Sequence, residues 1–217
     1  MVSPSTDSRL LDVAVDHFGR LGLEGASTRA IARDADTLMS SITYHFGGKQ
    51  GLYLAAADHI SAQLHGHIAP MLTQAAAICG EAGDVAQARA AIHTLMRGMT
   101  LVMLADETAA LTRFIVREQA DPTEAFDRIY NRIMGTMLDR LSGLLIRVSG
   151  QRLAPAEARV RAITLMGQVL VFRVARATVM TGMGWTAIGE AEAAAIVATI
   201  AGQLDAILDQ VQAGDEP

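Results

Sequence analysis

Residues 27–53 read STRAIARDADTLMSSITYHFGGKQGLY, and the fold follows from this stretch. Ser27 is a good N-cap, because its hydroxyl can accept from the free N–H groups of the turn that follows, and a short helix runs from there to about Ala35. Asp34-Ala35-Asp36-Thr37 reads as a tight turn, with Asp36 able to take a left-handed backbone. A second short helix covers about Met39 to Phe46, Gly47-Gly48 breaks it, and Lys49 opens a long helix. Two short helices joined by a four-residue turn form a helix-turn-helix pattern. Ile31, Ala35, Ile42 and Phe46 can pack the pair together, which leaves Ser40, Ser41, Thr43, Tyr44 and His45 outside. A short helix with a hydrogen-bonding outer face suits the DNA major groove, where base edges offer donors, acceptors and the thymine methyl.

Outward from this stretch, glycine and proline punctuate a chain otherwise filled by helical periodicity. Before it, Leu10, Ala14, Phe18 and Leu21 give one apolar face to a helix over about Asp7–Leu21, and Gly22 and Gly25 end it. After it, the helix opened by Lys49 reaches Ile78 despite Pro70, and a loop follows at Gly80–Asp84. Further helices fit Val85–Leu104, Thr108–Gln119, Pro122–Val148, Pro155–Met180 and Glu190–Val211, with Pro122 and Pro155 in first turns, where proline belongs. No apolar/polar alternation bounded by turn chemistry predicts a strand. The expectation is an all-α chain of about nine helices. In the last helix Ile196, Ile200, Leu204, Ile207 and Val211 form a stripe suited to packing on another helix, and the helix before it is apolar nearly all round.

The composition excludes several classes. With 51% apolar and 19% charged among 217 residues, the chain can build a sizeable core of one or two domains and is not disordered. The single cysteine, Cys79, excludes an internal disulfide framework and points to a reducing, cytoplasmic compartment. The N-terminus lacks the basic and apolar regions of a signal peptide. The longest apolar stretch, Ala162–Met180, carries Gln168, Arg173 and Arg176, and therefore reads as a buried helix of a soluble protein and not as a membrane span. There is no Gly-rich phosphate loop, no G-x-S-x-G and no metal-ligand spacing, so neither an enzyme nor a cofactor is expected. His65 and His67 lie about 200° apart on a helix and cannot easily share a metal. One observation opposes nucleic acid as a partner: net charge is −5, and residues 1–60 hold five cationic side chains against seven carboxylates. Few cationic contacts predict a shallow salt dependence of DNA binding.

The helix-turn-helix stretch closely resembles the TetR family (tetracycline-repressor-like regulators). The resemblance is carried by Thr28-Arg29, Ile31-Ala32, Ile42-Thr43-Tyr44-His45-Phe46 and Gly48-Lys49, within a match over about residues 7–60. It implies an N-terminal three-helix DNA-binding domain over 1–50 and a helical ligand-binding and dimerisation domain over 51–217. By position, it implies a phosphate contact for Thr28 and a base or phosphate contact for Arg29. It puts Met39, Ser40, Ser41 and Thr43 in the groove, Tyr44 and His45 on the DNA backbone, and Lys49 as a phosphate clamp. Three positions depart from the family pattern: Asp36 stands where glycine is frequent, Leu38 where serine caps the recognition helix, and Thr43 where tyrosine is frequent. Leu38 cannot cap, at a cost of about 1 kcal/mol. The segments FIVREQADPTEAF at 114–126 and QVLVFRVARATVMTGMGW at 168–185 are similar to the CecR-like branch of the family.

An effector site is less legible. Met96, Met99 and Met103 lie on nearby faces of one helix and Met134 and Met137 on another; they suit an adaptable apolar pocket, although core filling is the commoner use of such a stripe. Arg113 and Arg117 can anchor a polar ligand or form ion pairs with a neighbour such as Glu118, and Arg173 and Arg176 carry the same ambiguity. Tyr130, Gln168 and Phe172 complete the candidate set. The expected function is a cytoplasmic, homodimeric transcriptional regulator, most simply a repressor released from a palindromic double-stranded DNA operator by a small-molecule effector, with no membrane partner. The competing reading is a dimeric small-molecule-binding helical protein whose DNA binding is weak or lost, which the acidic N-terminal region favours.

Overall fold

A computed structural model describes residues 6–214, and among these there is no strand. The helices are α1 (Thr6–Gly25), α2 (Thr28–Asp34), α3 (Met39–Phe46), α4 (Lys49–Ile78), α5 (Val85–Leu104), α6 (Ala109–Ala120), α7 (Glu124–Ile129), α8 (Gly135–Val148), α9 (Pro155–Val174), α10 (Arg176–Met183) and α11 (Glu190–Ala213). Two of the nine expected helices are therefore divided. The one expected over 122–148 contains a π-helical turn at Tyr130–Met134, and its start moves to Glu124 because the Thr123 side chain caps it, leaving Pro122 before the cap. The one expected over 155–180 breaks at Ala175, and its two pieces are bent by 74°. A third difference is smaller: α1 does not stop at Gly22 but kinks there, at φ 74°, ψ 176°, and resumes to Gly25.

By packing, the chain falls into two compact units. One comprises the described residues up to His65 together with Glu107–Met134; the other comprises Gly66–Asp106 and the described residues from Gly135 on. In the first unit, α1 lies along α6 and α2 packs on α1 and α3. The approach of α1 to α6 is close at Gly19, where a Cβ would stand 3.2 Å from the Phe114 backbone nitrogen. Phe18, Tyr53 and Phe114 meet in its core, Phe18 edge-on to Tyr53 and Phe114 tilted against it, each 4.8 Å from Tyr53, centroid to centroid. In the second unit α5 packs on α8, α9 and α11. Ile196, Ile200, Leu204, Leu208 and Val211 of α11 are buried, so most of the stripe read from the sequence is used inside the unit. The opposite face of α11, with Ala191, Ala195, Ala198, Gly202 and Ala206, is exposed.

Candidate functional site

The turn between α2 and α3 is built as its residue types require. Ser27 Oγ accepts from the Ala30 N–H at 3.4 Å. At the other end of α2, the Thr37 N–H donates to the Ala32 carbonyl and the Asp36 N–H to the Arg33 carbonyl, with Asp36 at φ 57°. This is the double closure of a Schellman motif with aspartate in the left-handed position usually held by glycine. Leu38 precedes α3 with no side-chain cap, and Gly47, left-handed at φ 72°, ends it. The start of α4 comes so near the end of α3 that a Cβ on Gly51 would stand 1.7 Å from the Phe46 carbonyl oxygen.

Ile31, Ala35 and Ile42 are buried and Phe46 is half-buried, so these side chains hold α2 and α3 together. The face left outside carries Ser40, Thr43, Tyr44 and His45, all exposed, with Ser41 half-buried. Tyr44 is 86% exposed and meets the His45 ring edge-on at 5.0 Å. Met39 is exposed, Arg29 is exposed at the start of α2, and Thr28 is half-buried. Lys49 Nζ donates to the Glu24 carbonyl at 2.9 Å, which holds the ammonium at the N-terminus of α4 beside the end of α1.

Four of the seven carboxylates that made this region acidic, Asp12, Asp16, Asp34 and Asp58, are engaged within the same unit. His59 lies 2.7 Å from Asp12, which also accepts from Gln63. Arg20 and Arg113 lie at 3.3 and 3.5 Å from Asp16, and Arg128 and Arg132 at 2.7 and 3.0 Å from Asp58. Asp34 bonds Arg33 and His17, and these hydrogen bonds, Arg33 first, hold its carboxyl below the usual carboxylate value. Three of these partners, Arg113 of α6, Arg128 of α7 and Arg132 of the turn after it, lie far along the chain from the aspartates they neutralise.

The same unit holds a buried cluster that local sequence does not mark. Glu118 is 2% exposed and accepts four hydrogen bonds: from the Tyr53 hydroxyl at 2.5 Å, the Thr123 N–H and hydroxyl at 3.0 and 2.9 Å, and the Phe126 N–H at 2.9 Å. A carboxylate on the first N–H groups of α7 is where a helix dipole favours negative charge. Burial, and then the hydrogen bond to Glu118, push the Tyr53 hydroxyl well above the ordinary tyrosine value. Glu118 is thus not the partner of Arg113 or Arg117. Arg113 faces Asp16, and Arg117 donates to the Arg20 carbonyl at 3.2 Å.

The candidate effector residues divide between the units. Arg113, Arg117, Tyr130 and Met134 belong to the first; Met96, Met99, Met103, Met137, Gln168 and Phe172 belong to the second. Tyr130 stacks on Phe126 at 5.8 Å, and Met134 accepts a weak bond from Gln119. Met96, Met99 and Met137 are buried, while Met103, Gln168 and Phe172 are half-buried. Met96 also lines a cavity of about 180 Å³ between α5 and α11, with His93, Arg97, Thr100 and Leu204. Near Gln168, the largely buried Arg173 donates to the Ala105 carbonyl and Arg176 pairs with Asp106 at 3.2 Å. Burial, and then repulsion from Arg176, lower the pKa of Arg173. Cys79 is buried, and the fold brings Arg147 to 3.4 Å from its sulfur, a neighbour 68 residues away. Among the described residues no group of three or more His, Cys, Asp or Glu is placed to hold a metal.

Comparison with known proteins agrees with this architecture. Residues 10–56 match the family described as bacterial regulatory proteins, tetR family, and residues 88–211 match the C-terminal domain of the HTH-type transcriptional dual regulator CecR. The chain is 30% identical to the HTH-type transcriptional dual regulator CecR of Shigella flexneri over 201 residues, covering 92% of this chain and 90% of that protein. Among solved structures it resembles AibR in complex with isovaleryl coenzyme A and operator DNA, with a TM-score of 0.67, 19% identity, and 89% and 95% of the two chains covered. A TetR-family regulator from Mesorhizobium loti gives a TM-score of 0.64 at 18% identity, with 94% and 95% covered. With its N-terminal region matching one family description and more than half of its length the other, the chain belongs to the TetR family of transcriptional regulators, carries a CecR-type C-terminal domain, and is not an enzyme.

Proposed function

We propose that this regulator is a cytoplasmic homodimer that represses transcription by holding a palindromic operator and releases it when a small molecule binds. The observation that carries the DNA-binding part is the build of α3: Ile42 is buried, while Ser40, Thr43, Tyr44 and His45 stand exposed on a helix ending at a lysine-headed α4. In this reading residues 1–50 bind DNA. Thr28, Tyr44, His45 and Lys49 grip the sugar-phosphate backbone, and Arg29, Met39, Ser40, Ser41 and Thr43 face the groove; backbone contacts position the helix and base contacts specify sequence. Residues 51–217 bind the effector and make the dimer.

The dimer reading rests on two faces of the second unit. On α9, Val160, Ile163, Val171 and Val174 are exposed, and α11 exposes a run of small residues, Ala191, Ala195, Ala198, Gly202 and Ala206. Apolar side chains beside small residues suit close helix packing against a second copy, and a twofold pair then presents two recognition helices to two half-sites. On length and composition α11 could cross a membrane. Against that stand Asp205 and Asp209, which pair with Arg89 at 3.7 and 2.7 Å, and a partner helix covers the same apolar face without burying charge in lipid.

For the effector, the methionines Met96, Met99, Met103 and Met137 with Gln168 and Phe172 remain the favoured lining. Arg113, Arg117, Tyr130 and Met134 are weaker choices, because each already has a protein partner in the first unit. The effector acts through α4, a single helix that supplies residues to both units. By linkage, operator DNA weakens the effector by the same factor that the effector weakens the operator. The deciding experiment is a fluorescence anisotropy titration of the purified protein against its own upstream DNA and a scrambled duplex, at two salt concentrations. Tight, selective binding to the first is expected. Equal weak binding to both, with no palindrome recovered from a random library, would leave the DNA-free reading that the acidic composition favours.

A further inference from the structure

The apolar end of α3 has no use in the fold. Leu38 is 73% exposed and Met39 47%, although Ile42, four and three positions later, is 1% exposed. By helical spacing the three share a side of the helix, so the first turn of α3 projects beyond the packing that holds Ile42. Leu38 also occupies the N-cap and makes no cap hydrogen bond there. A serine or threonine would have satisfied a free N–H, so local stability is forgone at this position.

What α3 lacks is as informative. From Leu38 to Phe46 the sequence is LMSSITYHF, with no Arg, Lys, Asn, Gln, Asp or Glu. Those are the side chains that read guanine (Arg, Lys), adenine (Asn, Gln) and cytosine (Asp, Glu) by hydrogen-bonding geometry in the major groove. The remaining specific feature of a base edge is apolar: the C5-methyl of thymine. Residues at the N-terminal end of a recognition helix are the ones that reach base edges.

We propose that Leu38 and Met39 select the operator by contact with thymine C5-methyl groups, so that A·T pairs lie under the first turn of α3 in each half-site. This rests on the DNA-binding reading above and adds to it the chemistry that is recognised. Leu38 and Met39 are buried by the DNA instead of by the protein, while Ser40 and Thr43 supply hydroxyl contacts beside them.

The test selects binding sequences for the full-length protein from a random duplex library, and then replaces each thymine of the recovered half-site by uracil, which removes only the methyl. At the contacted positions uracil should weaken binding about fourfold per methyl, the ratio expected for one buried methylene-sized group. In a double-mutant cycle, Leu38→Ala or Met39→Ala should bind the thymine and uracil duplexes equally at its own position. Both side chains are exposed enough for the variants to fold, which a thermal melt verifies. If a palindrome is recovered but uracil binds as well as thymine throughout, the inference fails while the DNA-binding reading stands. Uracil sensitivity that persists in both variants overturns the assignment to Leu38 and Met39. Failure to recover any sequence overturns the DNA-binding reading, and this inference with it.

Discussion

Lys49 and Gly51 show how single residues set the junction between the recognition helix and α4. The bond from Lys49 Nζ to the Glu24 carbonyl pre-places the only lysine of the chain at a helix N-terminus, where backbone N–H groups also favour an anion. Lys49→Ala should therefore weaken binding to all DNA sequences alike and flatten the log–log salt slope by about one unit, which anisotropy titrations at several salt concentrations would measure. Lys49→Arg should keep most of that slope. Gly51 is a glycine in a helix, which alone signals a close backbone approach; the approach is to the Phe46 carbonyl. Gly51→Ala forces that contact apart and should cost about 1–3 kcal/mol in denaturant unfolding.

At the scale of elements, α3 is a helix whose ends are unequal. Its C-terminus closes on Gly47, but its N-terminus has no side-chain cap. Leu38→Ser should gain ~1 kcal/mol of stability in thermal or denaturant melts and raise amide protection in the first turn of α3. The same change should lower operator affinity, so stability and function move in opposite directions. The Tyr53–Glu118 pair does the reverse work, tying α4 to α6 and to the start of α7. Removing the hydroxyl leaves a buried carboxylate one donor short, and Tyr53→Phe should cost about 1–3 kcal/mol. The pH dependence has a definite sign. Because folding raises the Tyr53 pKa above its ordinary value of 10.0, this contribution is whole below pH 10 and is lost as pH rises from there toward the raised value. Alkaline unfolding curves of Tyr53→Phe should lack that part of the decline.

Across the whole molecule, the proposed dimer turns on what covers the exposed faces of α9 and α11. Ile163 is 53% exposed and stands between Val160 and Val171 on α9. Ile163→Glu should shift the protein to monomer in light scattering and weaken operator binding by roughly tenfold or more, since a carboxylate there is either buried unpaired or keeps the interface open. Circular dichroism should stay unchanged, because Ile163 is more than half exposed in its own subunit and lies outside its buried core. Charge is also a property above the local scale: of the seven carboxylates in residues 1–60, Asp12, Asp16, Asp34 and Asp58 are paired, with His59, Arg113, His17 and Arg128.

By itself the sequence determined the helical class, the order of the helices and the helix-turn-helix, because these rest on local rules: apolar spacing in α1, the Ser27 cap, the Asp36 turn and the Gly47-Gly48 break. It also foretold the missing cap at Leu38. Only tertiary packing decided the rest. The π-turn at Tyr130–Met134 and the bend at Ala175 occur in segments whose periodicity reads as continuous, since a helical pattern does not encode where neighbours force it to break. Tyr53 lies 65 residues from Glu118, Arg147 68 from Cys79 and His59 47 from Asp12, so no local pattern could name these partners. The same holds for Leu38, Met39 and Ile42. Spacing puts them on one side of a helix, and only the packing around α3 decides that Ile42 enters the core while Leu38 and Met39 stay exposed.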